Sequence, residues 1–140
     1  MKDRVLAEAK IWLGTPYHHQ ASVVGVGCDC LGLVRGIWRA LYDAEPQALP
    51  PYSADVSLRH DQLTPAFRRW LIEIPPEQGL AGDVLIFAWR SGEAAGHCGI
   101  LSDEDRFIHA YWRREVSECA LTPWWKRRRV AAFSFPEREI

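Results

Sequence analysis

The stretch that decides the fold reads GCDCLGLV over residues 27–34. From its second cysteine, Cys30, apolar residues recur every three or four positions as far as Leu41, which is the spacing of a buried helix face. Asp29 comes directly before this segment, and aspartate is among the preferred residues at the N-cap of a helix. The sequence therefore predicts a helix that begins at Cys30 and carries that thiol in its first turn.

The position of Cys30 favours a reactive thiolate. The unpaired amides and the macrodipole at a helix N-terminus stabilise a thiolate relative to a thiol. The same amides can receive the negative oxygen of a tetrahedral intermediate. Cys28 lies before the cap and lacks this advantage. We therefore predict that Cys30, rather than Cys28, is the candidate nucleophile.

Outward from this helix, the chain changes from helical to strand-like patterns. Amphipathic spacing predicts a first helix over residues 3–13 and a third helix over residues 63–74. Between the second and third helices, Pro46, Pro50 and Pro51 predict an irregular segment. Helices followed by strands indicate an α+β domain with an antiparallel sheet. The predicted strands, each an apolar run bounded by turn residues, are 83–88, 97–102, 106–112 and 130–135.

A thiolate nucleophile needs a base that can also protonate the leaving group, and histidine serves this purpose at neutral pH. Two of the five histidines fall on one face of the predicted sheet. If residues 103–105 form a three-residue hairpin loop, residues whose numbers sum to 208 face each other. Gly99 then lies opposite His109, and Tyr111 lies opposite His97, so that the two histidines are diagonal neighbours. A loop of two or four residues would put them on opposite faces.

Length and composition limit the class of protein. The 140 residues suit a single domain over 1–140, and the net charge of −1 creates no global field that would attract nucleic acid. No apolar segment is long enough for a secretory signal or for a membrane span. We therefore expect a protein that is cytoplasmic as synthesised. In that compartment Cys28, Cys98 and Cys119 are expected to be free thiols.

Five short motifs, in this order along the chain, resemble the NlpC family of cell-wall peptidases. They span residues 14–110, most of the chain, at about the spacing of that family. DCLGLV followed by GD and then by HCGI is a far more specific pattern than one cysteine and one histidine. The five motifs are GTPY at 14–17, DCLGLV at 29–34, GDV at 82–84, HCGI at 97–100 and IHA at 108–110.

This resemblance implies a papain-like α+β fold, in which N-terminal helices pack on a small antiparallel sheet and the nucleophile lies at a helix N-terminus. It implies that Cys30 is the nucleophile, His97 the general base and His109 the residue that orients His97. Tyr17 corresponds to a tyrosine whose hydroxyl helps to line the oxyanion site. Asp29 is grouped with Tyr17 as a candidate oxyanion or substrate-binding residue. No metal and no cofactor are expected.

The same resemblance implies a thiol protease that cleaves bacterial peptidoglycan, at the amide bond between D-γ-glutamyl and diaminopimelyl residues of the stem peptide. The compact form is similar to family members encoded in phage tail and gene-transfer-agent clusters, so we expect phage-like tail proteins as partners and the cell wall as the place of action. Two departures from the family pattern concern the substrate subsite. Leu31 replaces the usual serine, and residues 18–20 (HHQ) replace a Gly-Gly loop. Candidate cations for an anionic substrate are Arg35, Arg90 and Arg113.

Other functions are compatible with these residues. Related papain-like proteins include amidases and acyltransferases that act on other acyl substrates, and a catalytically silent structural tail component would keep the same fold. A zinc module that includes Cys28 and Cys30 is disfavoured, because Cys-x-Cys is tighter than the usual zinc spacing. Residues 124–129 (WWKRRR) are expected to form a solvated strand edge or loop, with contact to an anionic polymer or a partner subunit as the alternative.

Overall fold

The computed structural model describes residues 1–45 and 63–137. Its longest helix, α2 (Cys30–Tyr42), begins at the predicted residue. The side chain of Asp29 caps this helix by accepting a hydrogen bond from the backbone N–H of Gly32. The apolar stripe of α2 packs against helix α1 (Lys2–Ile11) and against the main sheet. The predicted helix and its cap are therefore both confirmed.

Two further helices and eight strands complete the described part of the chain. A short hairpin of β1 (Ser22–Val23) and β2 (Gly27–Cys28) precedes α2. The other helices are α3 (Leu63–Trp70) and α4 (Pro123–Lys126), with a 3-10 turn at Pro76–Gln78. The remaining strands are β3 (Ile72–Ile74), β4 (Val84–Ala88), β5 (Ala95–Asp103), β6 (Arg106–His109), β7 (Ser117–Ala120) and β8 (Arg129–Ser134). They form one antiparallel sheet in the order β3-β8-β4-β5-β6-β7.

The central strand β4 is buried on both faces. Val84 and Ile86 belong to the larger apolar cluster, which contains residues of α1, α2 and α3. Leu85 and Phe87 belong to a smaller cluster, and Trp125 of α4 packs against it. Successive residues of a strand point to opposite faces, so this unbroken apolar run fills two separate cores.

The turn between β5 and β6 differs from the predicted loop, although the register is as predicted. Asp103 pairs with Arg106, so the turn contains two residues rather than three. A register irregularity between Leu101 and Asp103 adds one residue to β5, which is the effect of a β-bulge. Ile100 therefore still pairs with Ile108, as a sum of 208 requires. The bulge restores the parity that a two-residue loop would have reversed.

Three other predictions from local pattern were wrong. The third helix ends at Trp70, and residues 72–74 form an edge strand that pairs with β8. Strand β6 ends at His109 rather than at residue 112. The strands β1, β2, β3 and β7 were not predicted. Strands β1 and β2 are only two residues long, and β3 and β7 depend on pairing with β8 and β6. Local periodicity does not reveal such pairing. Pro46, Pro50, Pro51 and His60 lie outside the described residues.

The GD motif ties the N-terminal helix to the sheet. The fully buried carboxylate of Asp83 accepts hydrogen bonds from the Lys2 ammonium group, the Ser134 hydroxyl and the backbone N–H of Leu80. Gly82 has a φ of +95°, and a Cβ there would lie 2.4 Å from the carbonyl oxygen of Lys2. Glycine is therefore required beside Asp83 for the two segments to approach each other.

Within residues 1–45 and 63–137, no helix is long and apolar enough to cross a membrane. The prediction of one domain over residues 1–140 stays a prediction.

Candidate active site

Cys30 occupies the first position of α2 and is partly exposed, whereas Cys28 and Cys98 are fully buried. A hydrogen bond with Cys98 is the largest influence that lowers the pKa of the Cys30 thiol, from the usual 9.0 to about 5. A hydrogen bond with His97 and the charge of that imidazole lower the pKa further, against the opposing effects of burial and of Asp29. At neutral pH, the thiolate is therefore the favoured form of Cys30.

The neighbouring cysteines have the opposite electrostatic character. Burial, followed by the charges of Asp29 and Cys30, raises the pKa of Cys28 to about 12. The hydrogen bond with Cys30, together with burial, raises the pKa of Cys98 well above its usual value. Both residues therefore remain thiols at the pH at which Cys30 is ionised. The predicted choice of Cys30 over Cys28 agrees with these pKa shifts.

The two predicted histidines lie together on one face of the sheet, each 3% exposed. His97 Nε2 is 2.8 Å from His109 Nδ1, which is a hydrogen bond. Burial, followed by the charge of His97, lowers the pKa of His109 to about 3, so this ring stays neutral. A Cβ on Gly99 would lie 3.1 Å from the Cβ of His109 and 2.9 Å from the Phe107 ring. The glycine opposite His109 thus gives that ring the space to reach His97.

Tyr17 lies beside the nucleophile because its segment runs along β2. The backbone N–H of His18 donates to Cys28 O at 3.1 Å, and the N–H of Cys28 donates to Pro16 O at 3.0 Å. Burial raises the pKa of the Tyr17 hydroxyl, and the charges of Cys30 and Asp29 raise it further. The hydroxyl therefore keeps its proton and can donate it to a hydrogen bond next to Cys30.

Asp29 is adjacent to Cys30, and its carboxylate accepts hydrogen bonds from two backbone N–H groups and lies 3.7 Å from Nδ1 of His19. The side chain is 2% exposed. Oδ1 accepts from the N–H of Gly32 and Oδ2 from the N–H of Gln20, each at 2.7 Å. A Cβ on Gly32 would lie 2.0 Å from the carbonyl oxygen of Ala21, so glycine permits the loop to close on the helix. These contacts give Asp29 a positioning role, and its role as an oxyanion or substrate-binding residue stays a prediction.

The tryptophan pair in residues 124–129 belongs to the site, which the sequence did not predict. The Trp125 ring lies 5.5 Å from His97 at 32° and 5.3 Å from His109 at 85°, measured between ring centroids. Trp89 lies 5.2 Å from His97 at 31°. Within residues 124–129, Trp124 to Lys126 belong to the short helix α4 and Arg129 begins β8, so the expected strand edge or loop is in part a helix. Trp124 and Arg127 are exposed, as expected for a solvated segment. Thr122 and Pro123 were available signals, because Thr at the N-cap and Pro at the first turn commonly start helices.

Arg128 holds this aromatic group together. Its guanidinium donates to Trp89 O at 3.1 Å and to Trp124 O at 2.9 Å. It also lies 3.5 Å from the centroid of the Trp124 ring, which is a cation–π distance. Arg128 thus joins the segment that contains Trp89 to helix α4.

The residues suggested for substrate contact differ in their availability. Leu31, which replaces the usual serine, is buried in the larger apolar cluster. Arg35 forms a salt bridge with Glu45 at 3.0 Å, so its charge is already compensated. Arg90 is 86% exposed, and Arg113 stacks on the Trp112 ring at 4.2 Å. His18 and His19 are exposed beside this region.

Among residues 1–45 and 63–137, no group of three or more His, Cys, Asp or Glu side chains is arranged to hold a metal ion.

A thiol at a helix N-terminus and a hydrogen-bonded pair of imidazoles are the groups that cysteine-dependent hydrolases use. Residues 14–133 match the NlpC/P60 family, and the chain belongs to that family. It is accordingly a hydrolase of the peptidase class.

Similar proteins agree with this assignment. The chain is 26% identical over 125 residues to the probable endopeptidase NlpC of Escherichia coli K12, covering 85% of this chain and 71% of that protein. It is 27% identical over 139 residues to the Gamma-DL-glutamyl hydrolase of Bacillus subtilis 168, covering 97% of this chain and 30% of that protein. The NlpC/p60 domain of the peptidoglycan hydrolase SagA has a similar structure, with a TM-score of 0.66 at 20% identity over 96% of this chain and 99% of that domain. The structural likeness confirms the predicted α+β papain-like fold.

Proposed function

We propose that this cell-wall hydrolase is a cysteine peptidase that cleaves an amide bond in peptidoglycan stem peptides. The proposed bond joins D-γ-glutamyl and diaminopimelyl residues, and similarity to a Gamma-DL-glutamyl hydrolase supports this choice. The observation that carries the proposal is the pair of hydrogen-bonded imidazoles, His97 and His109, together with the helix-capping position of Cys30, whose pKa Cys98 and His97 lower.

In the proposed reaction, the Cys30 thiolate attacks the carbonyl carbon of the scissile amide. His97 protonates the leaving amine, and an acyl-enzyme thioester remains on Cys30. His97 then takes a proton from water, which attacks the thioester and releases the acid product. Because Nε2 of His97 is hydrogen-bonded to His109, Nδ1 of His97 is the nitrogen that exchanges protons with Cys30 and the substrate.

His109 acts in this proposal as a neutral acceptor. Its Nδ1 accepts a hydrogen bond from the N–H of His97 Nε2, which holds the His97 ring in one orientation. Its depressed pKa prevents it from becoming a second positive charge beside His97.

The negative oxygen of the tetrahedral intermediate needs hydrogen-bond donors. We assign this task to the Tyr17 hydroxyl and to the backbone N–H of Cys30, the first amide of α2. Asp29 supports both donors indirectly, because its carboxylate joins the segment that follows Tyr17 to the first turn of α2.

The rings of Trp125 and Trp89 flank His97 and keep water away from the bond between the two imidazoles. A hydrogen bond to a charged imidazole is stronger where water is excluded. We therefore assign Trp125 a positioning role toward His97 and His109.

The test is mass spectrometry of muropeptides after incubation of peptidoglycan with the wild-type protein and with Cys30→Ala. The expected result is a pair of products split at the D-γ-glutamyl bond with the wild-type protein, and none with Cys30→Ala. Cys119→Ala is the matched control, because this residue lies on β7 and outside the proposed machinery. Cleavage by Cys30→Ala, or no cleavage by the wild-type protein, would overturn the proposal.

The same experiment separates the alternatives. A different new product would indicate the amidase or acyltransferase reaction on another acyl group, and an unchanged substrate would indicate a silent structural component. Action at the cell wall with phage-like tail proteins as partners stays a prediction.

A further inference from the structure

The hydrolytic mechanism leaves one contact of the nucleophile unused. Cys98 is fully buried on β5, and its Sγ lies 3.3 Å from the carbonyl oxygen of Cys30. The Cys98 thiol is also the largest influence that lowers the pKa of the Cys30 thiol. Cys98 therefore lies against the residue that carries the nucleophile. The two cysteines, one partly exposed and the other enclosed, form a pair that oxidation can join.

We propose that Cys30 and Cys98 form a site of reversible oxidation, in which a hydroperoxide oxidises Cys30 and Cys98 then closes a disulfide with it. The proposal goes beyond peptide hydrolysis. It requires the thiolate of Cys30, but it requires neither a peptidoglycan substrate nor the acyl-enzyme reaction.

The first step consumes one hydroperoxide. The Cys30 thiolate attacks one peroxide oxygen, so that a sulfur–oxygen bond forms and the oxygen–oxygen bond breaks. The released alkoxide or hydroxide takes a proton and leaves as an alcohol or as water. Sulfur loses two electrons to the peroxide, and Cys30 becomes a sulfenic acid. Cys30 is partly exposed and Cys98 is fully buried, so we expect a small peroxide to meet Cys30 first.

The second step uses Cys98. Its sulfur attacks the Cys30 sulfur, the disulfide bond forms, and hydroxide leaves with the proton of Cys98 as water. In the reduced protein, the hydrogen bond and the charge of the Cys30 thiolate hold the pKa of Cys98 high. Formation of the neutral sulfenic acid removes that charge. The first step therefore makes Cys98 easier to ionise when its thiolate is needed.

Cys28 is a poorer partner than Cys98, although it is closer in sequence. The thiol of Cys98 donates to the carbonyl oxygen of Cys30 at 3.3 Å, whereas Cys28 precedes the cap of α2. The backbone of Cys28 is also held on both sides, by Pro16 O and by the N–H of His18. A disulfide requires the sulfurs to approach to about 2.05 Å, and the backbone bonds of Cys28 oppose such a shift.

The disulfide would have two consequences. It removes the Cys30 thiolate, so hydrolysis stops until an external dithiol reduces the bond by thiol–disulfide exchange. It also protects Cys30 from a second peroxide, which would otherwise convert the sulfenic acid to an irreversible sulfinic acid.

The test treats the purified protein with hydrogen peroxide and maps its cysteines by mass spectrometry, with no peptidoglycan present. We expect the wild-type protein to lose two hydrogen atoms, to yield a cross-linked peptide containing Cys30 and Cys98, and to return to its original mass with dithiothreitol. Cys98→Ser keeps a hydroxyl donor beside Cys30 but cannot form the bond. That variant should instead gain two oxygen atoms at Cys30 and should not recover its mass with dithiothreitol.

Cys119→Ala is the control and should form the same disulfide as the wild-type protein. A Cys30–Cys28 disulfide, or equal sulfinic acid formation in the wild-type protein and Cys98→Ser, would overturn the proposal. Failure of the oxidation site and failure of the proposed function are distinguishable. If the oxidation site is wrong, the cross-linked peptide is missing after peroxide treatment. If the proposed function is wrong, the expected muropeptide products are missing in reducing buffer.

Discussion

The site has two halves that the chain builds in different ways. The nucleophile half, from Tyr17 to Cys30, is held by contacts within a short segment, such as the bonds from Asp29 to Gln20 and Gly32. The imidazole half brings together His97, His109 and Trp125, which lie on β5, β6 and α4. The first half is decided by helix capping, and the second by strand register and by packing across the sheet. Substitutions should therefore affect thiol ionisation and proton transfer to different degrees in the two halves.

The largest effect should come from removing the base. His97→Ala should lower kcat by about 10⁴-fold, because the leaving amine loses its proton donor. It should also raise the pKa of Cys30, since the hydrogen bond and charge of His97 lower that pKa in the wild-type protein. Steady-state hydrolysis and the pH dependence of Cys30 alkylation measure the two effects. A normal kcat in a folded variant would contradict the role of His97.

A smaller effect should follow from changing the orienting residue. His109→Ala should lower kcat by about 10- to 100-fold, because His97 loses the acceptor at 2.8 Å. His109→Gln retains an acceptor oxygen and should recover part of the loss. The KM should change less than kcat, because His109 acts through His97 rather than on substrate. Equal activity of the Ala and Gln variants would indicate that the hydrogen bond is unimportant.

Removal of the aromatic cover should be milder. Trp125→Ala should lower kcat by about 10-fold, because water then competes for the bond between the imidazoles, and Trp125→Phe should recover much of it. Trp112→Ala is the matched control, because that ring is exposed and stacks on Arg113. If Trp125→Ala and Trp112→Ala had the same kcat, the positioning role of Trp125 would be wrong.

The smallest effect concerns pH and the nucleophile half alone. The negative charge of Asp29 raises the pKa of Cys30, so Asp29→Asn should move the midpoint of Cys30 alkylation to lower pH, by less than about one unit. The wild-type pKa of Cys30 is lowered from 9.0 to about 5. The ionised Cys30 thiol therefore contributes to folding stability fully above pH 9, and this contribution is lost as the pH falls through about 5.

Alkylation followed by mass spectrometry at a series of pH values measures this shift. Glu104→Gln, on the exposed β5–β6 turn, is the charge-matched control and should leave the midpoint unchanged. A midpoint that moved upward in Asp29→Asn would refute the assigned effect of the carboxylate.

Much of the nucleophile half could be predicted from sequence, because its contacts are local. The start of α2, the Asp29 cap and the choice of Cys30 over Cys28 depend on residues a few positions apart. The register of His97 and His109 was also predicted, although the loop was wrong and a bulge near Ser102 compensates for it. In that case the pairing of buried residues, Ile100 with Ile108 and Leu101 with Phe107, set the register, and the turn adapted to it.

The sequence by itself determined the helix cap, the ionisable cysteine at that cap and the side of the sheet that carries the histidines. Only the tertiary structure decided that Trp125 covers both imidazoles and that Cys98 contacts the nucleophile. The physical reason is the range of the interactions. Capping and alternation act between neighbours in the chain, whereas the contact of Cys98 with Cys30 requires α2 to pack on β5 across 68 positions of sequence. Such packing depends on the shape and volume of both elements together, and no local pattern contains that information.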